Sequence, residues 1–345
     1  MPIETDVVII GAGPSGLFQV FELGLLGIRA HVVDSLPRVG GQCATLYPDK
    51  PIYDIPALPV CSAQELIDRL LAQIKPFAPT FHLGQEVVEL EPLDDECFRL
   101  TTAKGAVFGT RAVVIAGGLG SFQPRRLRVP GAQRHEGQRL HYKVTDKERL
   151  RGKRLVILGG GDAALDWALE LADIAARVTL VHRREEFRGA PASVTRLKHL
   201  AAERPDRVAW LIGQIRGLVE QGDELTGIKL ESLGGESHTL PLDDLLVFYG
   251  LSPDLGPIAN WGLAIDKRQI KVDTERFETS VPGVFAVGDI NVYPGKKKLI
   301  LSGFHEAALA AFAIQKRLNP EVKQYLQYTT TSPVMHERLG VSGEM

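Results

Sequence analysis

One supersecondary pattern occurs twice in the chain and constrains the fold more than any other feature. Each copy consists of an apolar strand, a glycine turn, a helix and a second apolar strand. The first turn begins at Gly11 and the second at Gly159, a separation of 159 − 11 = 148 residues. Strand–helix–strand units of this kind build parallel, doubly wound sheets. The sequence therefore predicts an α/β chain with two Rossmann-like dinucleotide-binding domains.

Further periodic segments follow each copy and indicate how the chain is divided. They are a helix at about 62–74, alternating strands within 86–115, a strand at 284–287 and a helix at about 303–318. The last two lie far beyond the second copy, so we expect the chain to return to its first domain. The tail from Asn319 has no clear periodicity, and we expect it to lack a helix and to be ordered only by what it packs on.

These segments give explicit domain boundaries. The first domain is predicted at 1–119 and 286–345, and the second is inserted into it at 120–285. Two domains also agree with the length of 345 residues, because a typical domain has roughly 150 residues.

The charge balance argues against several classes of partner. Forty basic residues stand against forty-two acidic ones, a net charge of -2, so no overall field favours nucleic acid or an anionic membrane. No run of 18 consecutive apolar residues occurs, and we expect no membrane span. The apolar segment 7–10 follows Glu4 and Asp6, not a basic region, and is expected to be a buried strand and not a signal peptide.

The cysteines are few and widely spaced. Cys43, Cys61 and Cys97 cannot form a disulfide framework or a zinc site, so no metal is expected. An odd count fits a reducing compartment, and we expect the protein to be cytoplasmic.

The first turn has the glycine spacing of a dinucleotide-binding site. Its sequence is GAGPSG at residues 11–16. Gly11 permits the tight turn, Gly13 lets the backbone approach a pyrophosphate, and Gly16 lets helix and strand pack closely. Asp34 follows 34 − 11 = 23 residues on, where a carboxylate accepts hydrogen bonds from an adenosine ribose. Together these residues predict a bound dinucleotide, although the glycines alone would also fit a structural turn.

The second turn, GGGDAA at residues 159–164, matches the pattern G-x-G-x-x-A. The same count of 23 residues reaches His182 and not an acid. Arg183, Arg184 and Arg188 follow it. An acid here would repel a 2'-phosphate, whereas arginine binds one through charge-assisted bidentate hydrogen bonds. The pattern therefore predicts NADPH in preference to NADH, although a run of charges at a strand end can also be solvated surface. The predicted NADPH contacts are Gly159, Gly161, Asp162, Arg183, Arg184 and Arg188.

Five segments together resemble the thioredoxin-reductase-like flavoproteins, and the resemblance covers nearly the whole chain. They are GAGPSG at 11–16, GGQ at 40–42, GGGDAA at 159–164, HRREEFR at 182–188 and VFAVGD at 284–289. The resemblance implies that FAD lies in the outer domain and NADPH in the inserted one. It also implies that Asp289 binds the ribityl or pyrophosphate part of FAD.

One element of those flavoproteins is missing. Their namesake chemistry requires a C-x-x-C pair just ahead of the second glycine turn, because a dithiol there passes two electrons from flavin to a disulfide. No cysteine lies between Gly117 and Gly159. The chain thus resembles the branch without the dithiol, the thioredoxin-reductase-like ferredoxin–NADP reductases of bacteria. Three segments are similar to that branch: GGQCATLYP at 40–48, YDIP at 53–56 and YPGKKKLILSGF at 293–304.

The resemblance implies which residues flank the flavin ring. Tyr47 is expected to stack on one face, and Tyr328, from the C-terminal extension of the partner subunit in a homodimer, to cover the other. Tyr328 must then move aside before nicotinamide reaches the flavin. No acid/base residue is expected, because flavin supplies the chemistry. The FAD contacts predicted by position and by resemblance are Gly11, Gly13, Ser15, Gly16, Asp34, Gln42, Tyr47, Val87, Phe122, Asp289 and Thr330.

The implied activity is hydride transfer from NADPH to the flavin N5, followed by single-electron transfer to ferredoxin or flavodoxin. One alternative is a reductase of another acceptor, such as a quinone, a flavin or an external disulfide, with Cys43 either redox-active or simply a buried hydrophobe. A second is a non-enzymatic flavin redox sensor, which would leave the arginines after His182 without a role. The basic segments 125–128 and 296–298 are candidates for docking an acidic carrier, although such runs are commonly plain surface.

Overall fold

The structure, a computed structural model, describes residues 2–93, 96–120, 123–144, 146–252, 254–323 and 325–341. The chain forms two compact units. The outer unit combines residues 1–121 with 253–345, and the inserted unit is formed by 122–252.

The outer unit is built on a mostly parallel sheet of seven strands: β1 (Ile3–Ile10), β2 (Ala30–Asp34), β5 (Thr80–Leu83), β6 (Val87–Pro92), β7 (Phe98–Thr102), β8 (Val107–Ile115) and β20 (Val284–Ala286). The strand order is β5-β2-β1-β8-β7-β6, and β20 also pairs with β8. Short strands outside this sheet are β3 (Pro51–Ile52), β4 (Cys61–Ser62), β18 (Ile265–Asp266), β19 (Gln269–Lys271) and β21 (Asn291–Val292). Its helices are α1 (Pro14–Leu25), α2 (Gly41–Leu46), α3 (Ala63–Ile74), α6 (Ile300–Leu318) and α7 (Pro333–Leu339).

The apolar run of β1 explains its central place. Val7, Val8 and Ile9 are fully buried, because β1 lies between β2 and β8 and both faces of the sheet are covered. The predicted helix at 62–74 is confirmed as α3. Ser62 caps it, since its hydroxyl accepts a hydrogen bond from the N–H of Glu65 at 3.0 Å.

The inserted unit repeats the plan with strand order β10-β16-β11-β12-β13-β14-β15. Its strands are β9 (Gln123–Pro124), β10 (Leu140–His141), β11 (Arg154–Leu158), β12 (Arg177–His182), β13 (Val208–Gln221), β14 (Glu224–Ser232), β15 (Ser237–Pro241), β16 (Asp244–Val247) and β17 (Leu251–Ser252), and its helices are α4 (Asp162–Leu171) and α5 (Pro191–Glu203). The strands from β10 to β13 run parallel, and the hairpins β13–β14 and β14–β15 extend that sheet. The predicted α/β class with two doubly wound sheets is confirmed.

The chain returns to the outer unit earlier than the sequence analysis predicted. We placed the return at residue 286, whereas the outer unit resumes at 253. Leu255, Ile258 and Ile270 are buried in one cluster with Val8 and Phe108 of the outer sheet. Between 254 and 283 the segment contains only a five-residue 3-10 helix and strands of two or three residues, so no periodicity in the sequence reveals what this segment packs on.

The prediction of a tail without a helix is wrong, because α7 lies in it. The hydroxyl of Ser332 accepts a hydrogen bond from the first turn, and Gly340 ends the helix with φ +67°. Arg338 donates a hydrogen bond to the carbonyl of Leu25 at 2.5 Å, which anchors the tail at the C-terminal end of α1. Seven residues are too few to show a helical period in a sequence.

None of the helices in the described ranges combines the length and apolar composition needed to cross a bilayer.

Candidate dinucleotide sites

The first glycine turn can be formed only by glycine at two of its positions. Gly11 has φ +114°, and a Cβ there would lie 2.4 Å from the carbonyl oxygen of Ala116. A Cβ on Gly16 would lie 1.9 Å from the carbonyl oxygen of Gly11. Helix α1 begins at Pro14 without a side-chain cap, so the N–H groups of its first turn are available to a ligand.

Asp34 lies at the end of β2, beside this turn. Its Oδ2 accepts a hydrogen bond from the N–H of Ala12 at 2.6 Å, and its Oδ1 accepts one from Leu36 at 2.7 Å. Burial raises the pKa of the carboxyl, and these two hydrogen bonds oppose the rise. Each carboxylate oxygen can accept a second hydrogen bond, so Asp34 still has acceptor capacity for a ribose.

Other segments of the outer unit approach the same turn. A Cβ on Gly41 would lie 3.0 Å from Cα of Gly13, so two glycine backbones face each other. The side-chain nitrogen of Gln42 is 3.4 Å from the Cβ position of Gly118. Ser15 Oγ lies 2.8 Å from the Cβ position of Gly288, the residue that precedes Asp289.

Two polar side chains here accept or donate no hydrogen bond within the described part of the chain. Thr45 Oγ1, in α2, is buried without a partner. The carboxylate of Asp289 is half-buried; burial raises its pKa, while Lys296 and Lys298 oppose the rise. Buried polar groups are normally hydrogen-bonded. A cradle of glycine backbones with unsatisfied polar groups fits a dinucleotide with a polar chain, as FAD has.

Tyr47 follows α2 and is half-buried. Its hydroxyl lies 3.7 Å from Sγ of Cys43, and burial raises the pKa of both groups. Val87 is buried at the start of β6, in one cluster with Val8. Phe122 lies outside the described residues.

The two predicted tail residues are exposed. The side chain of Tyr328 is 64% exposed, and Thr330 is exposed beside it. Arg338 of α7 bonds to Leu25, so α7 lies at the C-terminal end of α1. The glycine turn is at the opposite, N-terminal end of α1.

The second glycine turn follows β11. Gly159 has φ +158°, and a Cβ there would lie 2.6 Å from the carbonyl oxygen of Phe248. Helix α4 begins at Asp162, and Gly161 precedes it without a side-chain cap. Asp162 Oδ1 accepts a hydrogen bond from the N–H of Ala190 at 2.8 Å, so this carboxylate already holds the loop that precedes α5.

Two of the three predicted arginines line one groove of the inserted unit, with a volume of about 320 Å³. The lining residues are Arg183, Arg184, Gly213, Gln214, Arg216, Glu231, Ser232 and Leu233. Three guanidinium groups face a single carboxylate, which makes the groove suited to an anion. Arg188 is exposed, and its backbone N–H donates to the carbonyl of Gly160 at 2.7 Å.

His182 occupies the position that Asp34 has in the outer unit. It is buried at the end of β12, and its ring lies 2.3 Å from the Cβ position of Gly160. Burial lowers the pKa of the imidazole, and the three following arginines lower it further. A neutral ring therefore packs where an acid would repel a phosphate.

Sequence reasoning missed two residues. Arg216 lines the arginine groove, and its Nε lies 2.5 Å from Oε2 of Glu231. Only the pairing of β13 with β14 brings these residues together, and no local signal marks it. Glu306 is fully buried in α6. The sequence signal that could have identified Glu306 is that it is a single acidic residue on the apolar face of an alanine-rich helix.

The basic segments differ in their surroundings. Lys296 is almost fully buried and forms an ion pair with Glu306, so it cannot dock a carrier and that part of the prediction is wrong. Lys297 and Lys298 are exposed. Arg126 pairs with Glu136 at 2.6 Å, while Arg125 and Arg128 are exposed.

The geometry defines a class of protein: a two-unit α/β protein with one glycine-rich cradle suited to a dinucleotide in each unit. A family model described as pyridine nucleotide-disulphide oxidoreductase matches residues 5–315. A ferredoxin–NADP reductase 2 of Cupriavidus taiwanensis is 59% identical over 340 residues, which cover 99% of this chain and 92% of that one. A ferredoxin–NADP reductase of Methylibium petroleiphilum is 58% identical over 344 residues, 99% of this chain and 93% of that one.

Solved structures show the same fold. Thioredoxin reductase from T. acidophilum superposes with a TM-score of 0.75 at 24% identity, over 91% of this chain and 98% of that one. The bacillithiol disulfide reductase of Staphylococcus aureus gives a TM-score of 0.78 at 19% identity, over 93% of this chain and 100% of that one.

The chain belongs to the pyridine nucleotide-disulphide oxidoreductase family and, within it, to the ferredoxin–NADP reductases. This membership confirms the predicted enzyme class and the predicted cofactor pair, FAD and NADP(H).

Proposed function

We propose that this protein transfers electrons between NADPH and a small acidic carrier, ferredoxin or flavodoxin, through FAD. FAD is held by the outer unit and NADPH by the inserted unit. The observation that carries this assignment is the contrast at the two strand ends. Asp34 follows the first glycine turn, whereas Arg183 and Arg184 follow the second and line an anion-suited groove.

The outer unit supplies the groups that would hold FAD. The first turn of α1 offers N–H groups to the pyrophosphate, and Asp34 accepts hydrogen bonds from the ribose. Gln42, Asp289 and Ser15 surround the glycine cradle and would hold the ribityl chain. The other members of the predicted set in this unit are Gly11, Gly13, Gly16, Tyr47 and Val87, whereas Phe122 lies outside the described residues.

The inserted unit supplies the groups that would hold NADPH. Gly159 and Gly161 let the pyrophosphate approach α4, and Arg183 and Arg184 bind the 2'-phosphate. We add Arg216 to this set, because it lines the same groove. Asp162 and Arg188 stay in the predicted set with a positioning role, because Asp162 accepts a hydrogen bond from the N–H of Ala190 and the N–H of Arg188 donates to the carbonyl of Gly160.

FAD, when bound, would supply the capacity to accept a hydride and to release single electrons. The residues of this protein would position the flavin ring, with Tyr47 stacked on one of its faces. Cys43 is fixed beside Tyr47 as a buried thiol whose pKa burial raises, so it offers no thiolate for disulfide chemistry.

The carrier and the dimer belong to the same proposal. Arg125, Arg128, Lys297 and Lys298 are exposed and would steer an acidic carrier. Tyr328 and Thr330 would cover the second ring face of a partner subunit, since their own tail is anchored at the remote end of α1.

Anaerobic stopped-flow absorbance tests this proposal. The purified protein is mixed with NADPH or NADH, and oxidised ferredoxin, flavodoxin or thioredoxin is then added in parallel. We expect fast flavin bleaching by NADPH, much slower bleaching by NADH, and reoxidation by ferredoxin or flavodoxin but not by thioredoxin. Flavin bleaching by NADPH without electron transfer to either carrier would overturn the assignment of ferredoxin or flavodoxin as the acceptor. The assignments of the FAD and NADPH sites would stand. Protein without flavin that gains none on addition of FAD would overturn the proposal.

A further inference from the structure

A buried ion pair lies behind the turn that presents Asp289. The side chain of Lys296 is 5% exposed and that of Glu306 is 0% exposed, and Lys296 Nζ donates a hydrogen bond to Glu306 Oε1. Lys296 lies in the loop before α6, and Glu306 lies in the second turn of that helix. The pair thus ties the start of α6 to the loop that precedes it.

Each carboxylate oxygen of Glu306 accepts two hydrogen bonds. Its Oε2 accepts from the N–H of Gly288 at 2.7 Å and from Asn291 Nδ2 at 2.8 Å. Its Oε1 accepts from the hydroxyl of Tyr293 at 2.9 Å as well as from Lys296. The carboxylate is therefore paired and its hydrogen bonds are satisfied within the protein, so no acceptor capacity is directed at a ligand.

The pair holds both backbone groups of Gly288. The N–H of Gly288 donates to Glu306, and its carbonyl accepts from Lys296 Nζ at 2.9 Å. Gly288 has φ +81°, and a Cβ there would lie 2.8 Å from Ser15 Oγ. The next carbonyl, that of Asp289, accepts from Gln269 at 3.2 Å. The backbone on both sides of Asp289 is fixed, while its carboxylate accepts no hydrogen bond within the described residues.

Stability alone gives a poor reason for this arrangement. Replacing a buried ion pair by apolar residues is commonly neutral or stabilising, because two charges must be desolvated. The ion pair fixes the direction of both peptide groups of Gly288 through hydrogen bonds. A pair of apolar side chains could not do this, because it makes no hydrogen bonds.

We propose that Lys296 and Glu306 are positioning residues that hold the Gly288–Asp289 backbone in the orientation required to bind FAD. The inference rests on the proposed function, because it requires FAD in the outer unit. Each side chain acts through the backbone of Gly288.

The test uses the double variant Lys296→Met with Glu306→Gln, which removes both charges and leaves no unpaired one. FAD is removed, and the dissociation constant for FAD is measured by quenching of flavin fluorescence, well below the unfolding midpoint of each FAD-free protein. We expect FAD to bind about 10-fold more weakly or worse, as when outer-shell partners of bound metals are removed. The KM for NADPH should change less than about 2-fold, because Arg183 and Arg184 lie in the other unit.

Lys297→Met is the matched control, because it removes the neighbouring, exposed lysine of the same loop. It should bind FAD like the wild type. A double variant that folds and binds FAD as tightly as this control would overturn the inference. If the double variant does not fold, Lys296→Met alone is measured instead, because it removes the donor for the Gly288 carbonyl and leaves Glu306 its three other donors. Unchanged FAD affinity there overturns the inference equally.

Measurements on the wild-type protein distinguish failure of the proposed function from failure of the positioning role. Wild-type protein that does not bind FAD would remove the proposed function itself. Wild type that binds FAD and is bleached by NADPH, together with variants of normal FAD affinity, would remove only the positioning role.

Discussion

The two glycine turns of this protein share one close backbone contact and differ in the residue at the end of the following strand. A Cβ on Gly11 would lie 2.4 Å from the carbonyl of Ala116, and a Cβ on Gly159 would lie 2.6 Å from the carbonyl of Phe248. In each unit a neighbouring parallel strand delivers that carbonyl. The close approach of backbone to backbone is thus a property of the supersecondary unit, and it does not select the cofactor.

The units differ at the strand tip and at the fifth residue after the first glycine. Asp34 binds the N–H of its own turn, while His182 packs on Gly160 as a neutral ring. Gly16 leaves no space for a Cβ, whereas Ala164 has one. The comparison teaches that one type of backbone cradle can have different side chains at its rim, and under the proposed function these few side chains distinguish the two dinucleotides.

The largest expected effect comes from Gly16→Ala. The new Cβ would lie 1.9 Å from the carbonyl of Gly11, so helix and turn must separate, at a cost of roughly 1–3 kcal/mol or more. We expect purified protein without flavin and a lower unfolding midpoint. Ala164→Gly is the matched change in the inserted unit. It should cost only about 1 kcal/mol and leave FAD content unchanged. Normal flavin content in Gly16→Ala would show that the first turn does not need close packing.

A large effect on cofactor choice is expected from Arg183→Gln with Arg184→Gln. Loss of two charge-assisted contacts to the 2'-phosphate should lower kcat/KM for NADPH roughly 100-fold and leave NADH almost unchanged. Steady-state kinetics with both nucleotides measures this. Arg204→Gln, whose side chain pairs with Asp173, is the surface control in the same unit. Equal losses with NADPH and NADH would contradict the 2'-phosphate assignment.

A smaller effect is expected from Asp34→Asn. The amide can accept from Ala12 or Leu36 with its one oxygen but not from both, and it carries no charge for the ribose. A lost hydrogen bond to a charged group costs roughly 1.5 kcal/mol, which is about 10-fold in FAD affinity. Fluorescence titration of the FAD-free protein measures this, with Asp68→Asn on the exposed face of α3 as control. An unchanged dissociation constant would remove Asp34 from the site.

The smallest effect concerns acid stability, to which Asp243 of the inserted unit and Asp34 of the outer unit are expected to contribute with opposite signs. Arg154 lowers the pKa of Asp243 below 3.8, so the stability from this pair is present above 3.8 and is lost as pH falls through the lowered value. Burial raises the pKa of Asp34, so protonation on acidification relieves an unfavourable charge in FAD-free protein.

Hydrogen exchange resolved by peptide, at pH 3 to 6 as an approximate range, compares β11 and β16 with β1 and β2. Asp243→Asn should remove part of the acid loss in the inserted unit, by less than about 1 kcal/mol because the pair is partly exposed. Identical acid responses in wild type and Asp243→Asn would show that the ion pair with Arg154 contributes nothing measurable.

Much of this protein could be predicted from short-range sequence signals. Glycine spacing, strand-like apolar runs and the residue 23 positions after each first glycine are local properties, and the strands end at Asp34 and His182 as counted. Helix α3 was equally predictable, because its cap and its apolar face lie within one segment. Where the signal was short or absent, as in α7 and between 254 and 283, prediction failed.

Lys296 illustrates the limit most clearly. In the sequence it is the first of three lysines in a loop, a pattern typical of solvated surface. In the structure it is buried against Glu306, ten residues on, because the loop folds back onto α6.

The sequence by itself determined that this chain has two dinucleotide cradles and which of them has an acid or arginines at its rim, since both follow from residues close together in the chain. Only the tertiary structure decided which distant groups support each cradle. The pairing of Arg216 with Glu231, the fixed backbone of Gly288 and the return to the outer unit at 253 all depend on strand pairing and burial. Strand pairing and burial depend on contacts between segments that are far apart in the chain, and no local sequence pattern indicates which distant segments will meet.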